Sequence, residues 1–176
     1  MKKFELTAEF VTNVFGKKLF RIKALVAFGN VEKGELGGFI EKEDNLSHGG
    51  NAWVYGNALV YGNAQVSGDA QVSGDAWVSG NAQVSGNAQV SGNADYAVVA
   101  GFGRYFRTTT FFRCKDKILR VQCGCFYGDL AQFREIVKKT HGDSKYAKEY
   151  LAIADLMELH FSDECGGEQM NNGKIH

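Results

Sequence analysis

From Asn51 the chain counts in sixes: Asn-Ala-Trp-Val-Tyr-Gly, Asn-Ala-Leu-Val-Tyr-Gly, Asn-Ala-Gln-Val-Ser-Gly, Asp-Ala-Gln-Val-Ser-Gly, and onward to Gly92-Asn93-Ala94. A period of six is too short for a helical hairpin. Ala and Val stand two apart in every unit, from Ala52 and Val54 to Ala88 and Val90, so on a short strand both point to one side. The residue between them (Trp53, Leu59, Gln65, Gln71, Trp77, Gln83, Gln89) and the one after Val (Tyr55, Tyr61, then serines) point to the other. The Gly-Asn or Gly-Asp pair turns the corner, because glycine takes positive φ freely and Asn and Asp tolerate it better than most. One hexad is thus one side of a prism. Three sides make a coil, and stacked coils place Val on Val and Ala on Ala, about 4.8 Å apart, joined by parallel ladders.

These repeats divide the chain. Residues 1–44 form an N-terminal β cap and lead-in, with strands expected over 4–11 and 18–25. Residues 45–95 form the β-helix, about three to four coils. Counting back by six places Leu46 and Ile40 on the Ala register, so an irregular start is expected before the clean repeats. Residues 96–161 read as a small α+β unit. Segments 102–113 and 118–126 alternate and are joined by Lys115-Asp116-Lys117, which predicts a hairpin. Asp129 and Ser144 are placed to cap helices over 130–140 and 145–161, with Gly142 as a terminator between them. The polar tail 162–176 is expected to be flexible. A stack of coils exposes unpaired backbone at both ends, and both flanks are suited to cover it.

The spacing Val-x-Gly-Asn/Asp-Ala-x resembles the hexapeptide repeat of left-handed parallel β-helix proteins, many of them acyltransferases; the left hand is implied by that resemblance. The lead-in Phe28-Gly29-Asn30-Val31, then Gly34, Leu36-Gly37-Gly38-Phe39-Ile40, Asn45-Leu46-Ser47 and Trp53-Val54-Tyr55-Gly56-Asn57-Ala58 is similar to a largely uncharacterised group from gut bacteria and their phages, some of them assigned as transferases. The similarity spans roughly residues 1 to 95 and carries no established catalytic residue.

Charge is balanced, 20 basic against 20 acidic side chains, so the whole chain favours no partner electrostatically. No run approaches the roughly 18 apolar residues of a membrane span, and Glu5 and Glu9 interrupt any secretory leader, so a cytoplasmic protein without membrane contact is expected. Cys114, Cys123, Cys125 and Cys165 are too few and too uneven for a disulfide framework; buried reduced thiols are expected. Structural zinc usually spaces its ligands by two to four residues, unlike Cys123-Gly124-Cys125, and residues 51–94 hold no histidine, which argues against a γ-class carbonic anhydrase. No metal and no cofactor is expected.

Two surfaces stand out. The outward prism faces carry Trp53, Tyr55, Tyr61 and Trp77 among nearly chargeless neighbours, the composition of a contact surface. The segment with Arg104, Arg107, Arg113, Lys115, Lys117 and Arg120 sets six cations against Asp116 and interleaves Tyr105, Phe106, Phe111 and Phe112, which suits phosphate pairing with base stacking or an acidic protein face. Such cations also guard an edge hairpin.

The resemblance implies a different site: a histidine base near a cleft that accepts coenzyme A. His48 alone among the four histidines lies close to the prism, at a position expected to point inward, whereas His141 ends a helix and His176 ends the chain. The leading reading is a non-enzymatic binding protein with a macromolecular partner, a protein or a nucleic acid, and with self-association into a homo-oligomer left open. The phage-like resemblance implies action against a host defence system. The alternative is an acyltransferase using His48 and coenzyme A.

Overall fold

The computed structural model describes residues 1–162; Cys165, His176 and all but the first residue of the tail lie outside them. Strands β1 (Phe4–Thr12), β2 (Lys18–Ala24) and β3 (Leu36–Ile40) open the chain. Seven two-residue strands follow at intervals of six: β4 (Trp53–Val54), β5 (Leu59–Val60), β6 (Gln65–Val66), β7 (Gln71–Val72), β8 (Trp77–Val78), β9 (Gln83–Val84) and β10 (Gln89–Val90). They stack in parallel, 18 residues apart in sequence, as a three-sided solenoid.

Three coils are present. Ile40, Val60 and Val78 align on one side, Val54, Val72 and Val90 on a second, and Leu46, Val66 and Val84 on the third, all buried. Ile40 and Leu46 therefore occupy the Val register, not the Ala register that counting back by six gives. Eight residues separate Leu46 from Val54 where six separate Val54 from Val60, so the corner at Ser47-His48-Gly49-Gly50 is two residues longer and shifts everything before it. At Gly74 a regular corner shows why glycine is needed: φ is +60°, and a β-carbon would run into the Ser91 carbonyl oxygen of the next coil.

Each end of the prism is closed by groups that replace a missing coil. At the start, the hairpin β1–β2 joins β3 and extends the sheet that continues through β5 and β8. The Lys3 ammonium donates to the Ala52 and Gly50 carbonyls at 2.8 and 3.4 Å. Buried Asn45 acts as a piece of backbone: its Nδ2 donates to Ala64 O at 2.8 Å and Gly62 O at 3.2 Å, and its Oδ1 accepts from Lys42 N.

At the other end a short turn at Asn93–Asp95 breaks the repeat, and Ala94, expected inside, is exposed. The orphan N–H groups of the last coil find side-chain acceptors: Trp77 N donates to Asn93 Oδ1 (2.8 Å), Gln83 N to Thr110 Oγ1 (3.0 Å) and Ser91 N to Asp95 Oδ2 (2.9 Å). Capping of this kind leaves no open ladder for another chain to extend at those positions.

Thr110 belongs to a four-stranded antiparallel meander of β11 (Tyr96–Phe102), β12 (Arg107–Arg113), β13 (Leu119–Cys123) and β14 (Phe126–Asp129). The hairpin about Lys115-Asp116-Lys117 is its central pair. The expected single strand over 102–113 is instead broken by a turn at 103–106, where Gly103 has φ +75° and Phe106 φ +54°. Gly103 lies against Tyr150 so closely that a β-carbon would run into the phenol oxygen.

One face of the meander covers the last coil, with Phe112 joining the prism core; the other faces two helices, with Phe111 packed on Phe133. Helix α1 (Leu130–His141) starts at Asp129, whose carboxylate accepts from Gln132 N, and α2 (Lys145–His160) starts at Ser144, whose hydroxyl accepts from Ala147 N. Both caps stand where the sequence places them.

Candidate binding cleft

The turn at 103–106 overhangs a cleft of about 320 Å³ between the meander and α1. Its floor is apolar, made of Phe126, Phe133, Val137 and Tyr150, and Ile136 stands partly exposed at its mouth. The rings pack edge to face, Phe133 on Phe111 and on Tyr150, which fixes the floor. Burial pushes the Tyr150 phenol up to about 12, so at neutral pH it stays protonated and its hydroxyl donates to Phe102 O at 3.4 Å. Next to it the Gly103 N–H donates to Glu149 Oε2 at 2.9 Å. These two bonds tie the overhanging turn to α2.

The rim is made by Arg104, Tyr105 and Arg107. Both guanidiniums lie over the Tyr105 ring, at 5.6 and 5.2 Å from its centroid. Arg107 also lies across Gly124, where a β-carbon would sit 2.6 Å from its Nη1. Tyr105 and Phe106 are 65% and 70% exposed, an aromatic pair open to solvent at the rim. Cys123, Cys125 and His141 complete the wall. Cys123 is half-buried beneath the Thr109 hydroxyl, and Cys125 is exposed, which corrects the expectation of a buried thiol there; β13 ends before it. Cys114 is buried, and burial pushes its thiol up.

The six cations of this segment do not form one patch. Arg104 and Arg107 lie at one end of β12, and Arg113, Lys115, Lys117 and Arg120 lie at or beyond the other, about 20 Å away for a seven-residue strand. At that far end Arg120 forms a bidentate pair with Asp116 at 2.7 Å, which holds the Asp116 carboxyl down at about 2. Arg113 meets Asp95 at 3.4 Å and the Phe161 ring at 5.4 Å. Lys115 and Lys117 are exposed at the hairpin tip, Lys115 with its N–H donating to Asn87 O.

The aromatic prism residues also separate. Trp53 is fully buried, contrary to the expected exposed face: the lead-in folds back and covers it with Phe4 and Phe28, and its Nε1 has no hydrogen-bond partner. Trp77 is 45% exposed above Leu59, its carbonyl accepting from the Tyr96 hydroxyl. Tyr55 lines a polar groove with Asp69, Gln71 and Lys115, while Tyr61 is half-buried on the Trp77 side.

His48 sits in the long corner. Its Nδ1 accepts from Lys3 N at 3.1 Å, which leaves Nε2–H to donate to Glu43 Oε1 at 2.8 Å, and its ring stacks on Phe4 at 4.3 Å. Both ring nitrogens are thus engaged within the fold. Among the described residues no three side chains are grouped to ligate a metal, and no helix is long and apolar enough to cross a membrane.

Arg104 and Arg107, singled out in the sequence by charge, are the two cations of that basic segment that line this cleft. The floor was not singled out, because Phe133, Val137 and Tyr150 read as ordinary helix core; only the meander leaves a gap beside them. Tyr105 and Phe106 carried a signal in the aromatic and basic run, but their exposure depends on the turn.

The model of the YdcK beta solenoid repeat family matches three overlapping stretches, residues 52–68, 64–80 and 70–86. They cover most of the regular coils and none of the cleft. The chain is a β-solenoid repeat protein. No curated protein matches it.

Proposed function

We propose that this is a non-enzymatic binding protein, a rigid solenoid carrying a recognition module whose contact edge is the turn at 103–106 with Arg104 and Arg107. One observation carries the reading: exposed Tyr105 and Phe106 stand between two guanidiniums on a turn fixed to α2 through Gly103 and Phe102. Exposed aromatics and arginines are the residues that dominate binding energy at interfaces, and a fixed turn loses little freedom on association.

A protein partner fits better than nucleic acid. Affinity for a phosphate backbone needs several cations along one track, and here the basic residues are divided between two ends of β12, with Arg113 and Arg120 neutralised by carboxylates. The lead-in motif supports membership of the hexapeptide-repeat group of gut bacteria and their phages, with its left-handed coil. On that likeness the partner belongs to a host defence system in the cytoplasm. The acyltransferase alternative takes His48 as its base, and both nitrogens of His48 are already bonded within the fold; the histidine on the cleft wall is His141, whose ring stacks on Tyr150.

The test is capture from nuclease-treated bacterial lysate with wild-type protein and with the Arg104→Glu, Tyr105→Ala double variant. A protein retained in stoichiometric amount by wild type and lost by the variant supports the proposal. Equal retention by both moves the contact elsewhere on the surface, with the Trp77 face tested next.

A further inference from the structure

We infer that the cleft under the 103–106 turn takes one large apolar side chain from an acidic segment of a partner protein, whose carboxylates pair with Arg104 and Arg107. The inference rests on the reading of that turn as the contact edge and adds what the partner must present to it.

Charge accounting carries the first half. The chain contains six arginines. Arg21 pairs with Glu9, Arg113 with Asp95, Arg120 with Asp116, and Arg134 with both Asp155 and Glu158. Of these six arginines only Arg104 and Arg107 have no carboxylate within pairing distance among the described residues, and both rim the same cleft. Guanidiniums suit carboxylates through their planar donor fork, so two unused forks beside one opening define the sign and the chemistry of what should come there.

The cleft carries the second half. At about 320 Å³ it is at the small end of ligand clefts, roughly 300–1,000 Å³, which suits a single anchoring group. Its floor of Phe126, Phe133, Val137 and Tyr150 offers no charged group to an occupant, and the Tyr150 hydroxyl is taken up by Phe102 O. A polar side chain seated on that floor would find partners only toward the wall, at Thr140 and His141, whereas an aromatic or branched aliphatic one would bury its surface against rings already held in place. An anchor in a hole with charge pairs at its edge is the arrangement in which desolvation strengthens the pairs. A nucleobase could fill the hole as well, but a strand continuing from it along β12 would meet no further cation before Arg113 at the other end.

The experiment uses the full chain and a defined probe, the hexapeptide acetyl-Glu-Asp-Ser-Phe-Glu-Asp-amide, followed by calorimetry and by the alkylation rate of Cys125, an exposed thiol on the cleft wall. The peptide is expected to bind and to slow Cys125 alkylation. Replacing its Phe by Ala, its acids by the amides, or Arg104 and Arg107 together by Gln should each weaken binding about tenfold, the effect of about 1.4 kcal/mol. Ile136→Trp, a change at the partly exposed mouth that leaves the floor intact, should block the peptide while the circular dichroism of the protein is unchanged.

Absence of binding overturns the inference, as does equal affinity for the Ala peptide, which would leave charge attraction alone. Tighter binding of oligo-thymidylate than of the peptide assigns the cleft to a nucleobase and also overturns it. If a captured protein partner depends on Tyr105 but the peptide neither binds nor competes, the contact edge stands and the anchor does not.

Discussion

The Lys3 ammonium lies 2.8 Å from the carbonyl oxygen of Ala52, the acceptor that a preceding coil would otherwise have filled. The side chain is almost wholly buried to reach it, and loss of hydration lowers its pKa from 10.5 to about 8, against the opposing pull of Asp69. The unfolded chain keeps this proton up to about 10.5, so between about 8 and 10.5 deprotonation favours the folded state. Relative to Lys3→Met, which cannot titrate, wild type should gain melting temperature as pH rises through that window and show a constant difference below it. A difference that is flat from pH 7 to 10.5 would show that Lys3 is not desolvated.

Asn45 substitutes for backbone inside the first coil, and its amide serves Gly62 O, Ala64 O and Lys42 N. Asn45→Ala strands the Ala64 carbonyl in a buried site, at about 1–3 kcal/mol, and leaves the Gly62 carbonyl and the Lys42 N–H, both partly buried, to find water at a smaller cost. Chemical denaturation should show a loss of a few kcal/mol; a change under 1 kcal/mol, about the worth of one ordinary hydrogen bond, would mean that water replaces the amide.

Two corner glycines share a positive φ but differ in surroundings. At Gly56 a β-carbon would meet nothing within 4 Å, so Gly56→Ala should cost only the left-handed penalty, about 1–2 kcal/mol. Gly74→Ala should cost clearly more, since the Ser91 carbonyl stands in the way. Equal melting temperatures for the two variants would contradict the coil spacing at that corner.

Val72 lies in the middle coil between Val54 and Val90 with no exposed surface. Val72→Asp places a carboxylate in a dry stack and should cost upwards of about 4 kcal/mol or abolish folding. Gln65→Lys, one position before Val66 on the outer face, should fall within about 0.5 kcal/mol of wild type. Comparable losses in both would reverse the assignment of inside and outside.

The period of six fixed which residues face inward through the regular coils, because a two-residue strand between glycine corners admits one register. It failed where that regularity stops. Two additional residues around His48 moved Leu46 and Ile40 onto the other register, and no local signal marks an insertion whose flanks are both apolar at the right places. Trp53 occupies an outward position by the repeat rule and is nevertheless buried, since what covers it is the loop at Phe28, remote in sequence. The cleft was half legible: charge pointed to Arg104 and Arg107, while the break at Gly103 depends on the Tyr150 ring beneath it, a contact across nearly fifty residues. Both helix caps were readable, because Asp129 and Ser144 act on backbone three residues away.

Neighbours on β12 serve different interiors: Phe112 packs with the valines of the coils, and Phe111 with the helices under the cleft. The strand is a party wall, and neither interior can lose it alone. Thermodynamic linkage follows. Heating should give one transition, with no temperature at which the coils persist beside melted helices. Whatever occupies the cleft should raise the melting temperature of the coils with the logarithm of its concentration above Kd, so that the solenoid reports on a ligand it never touches.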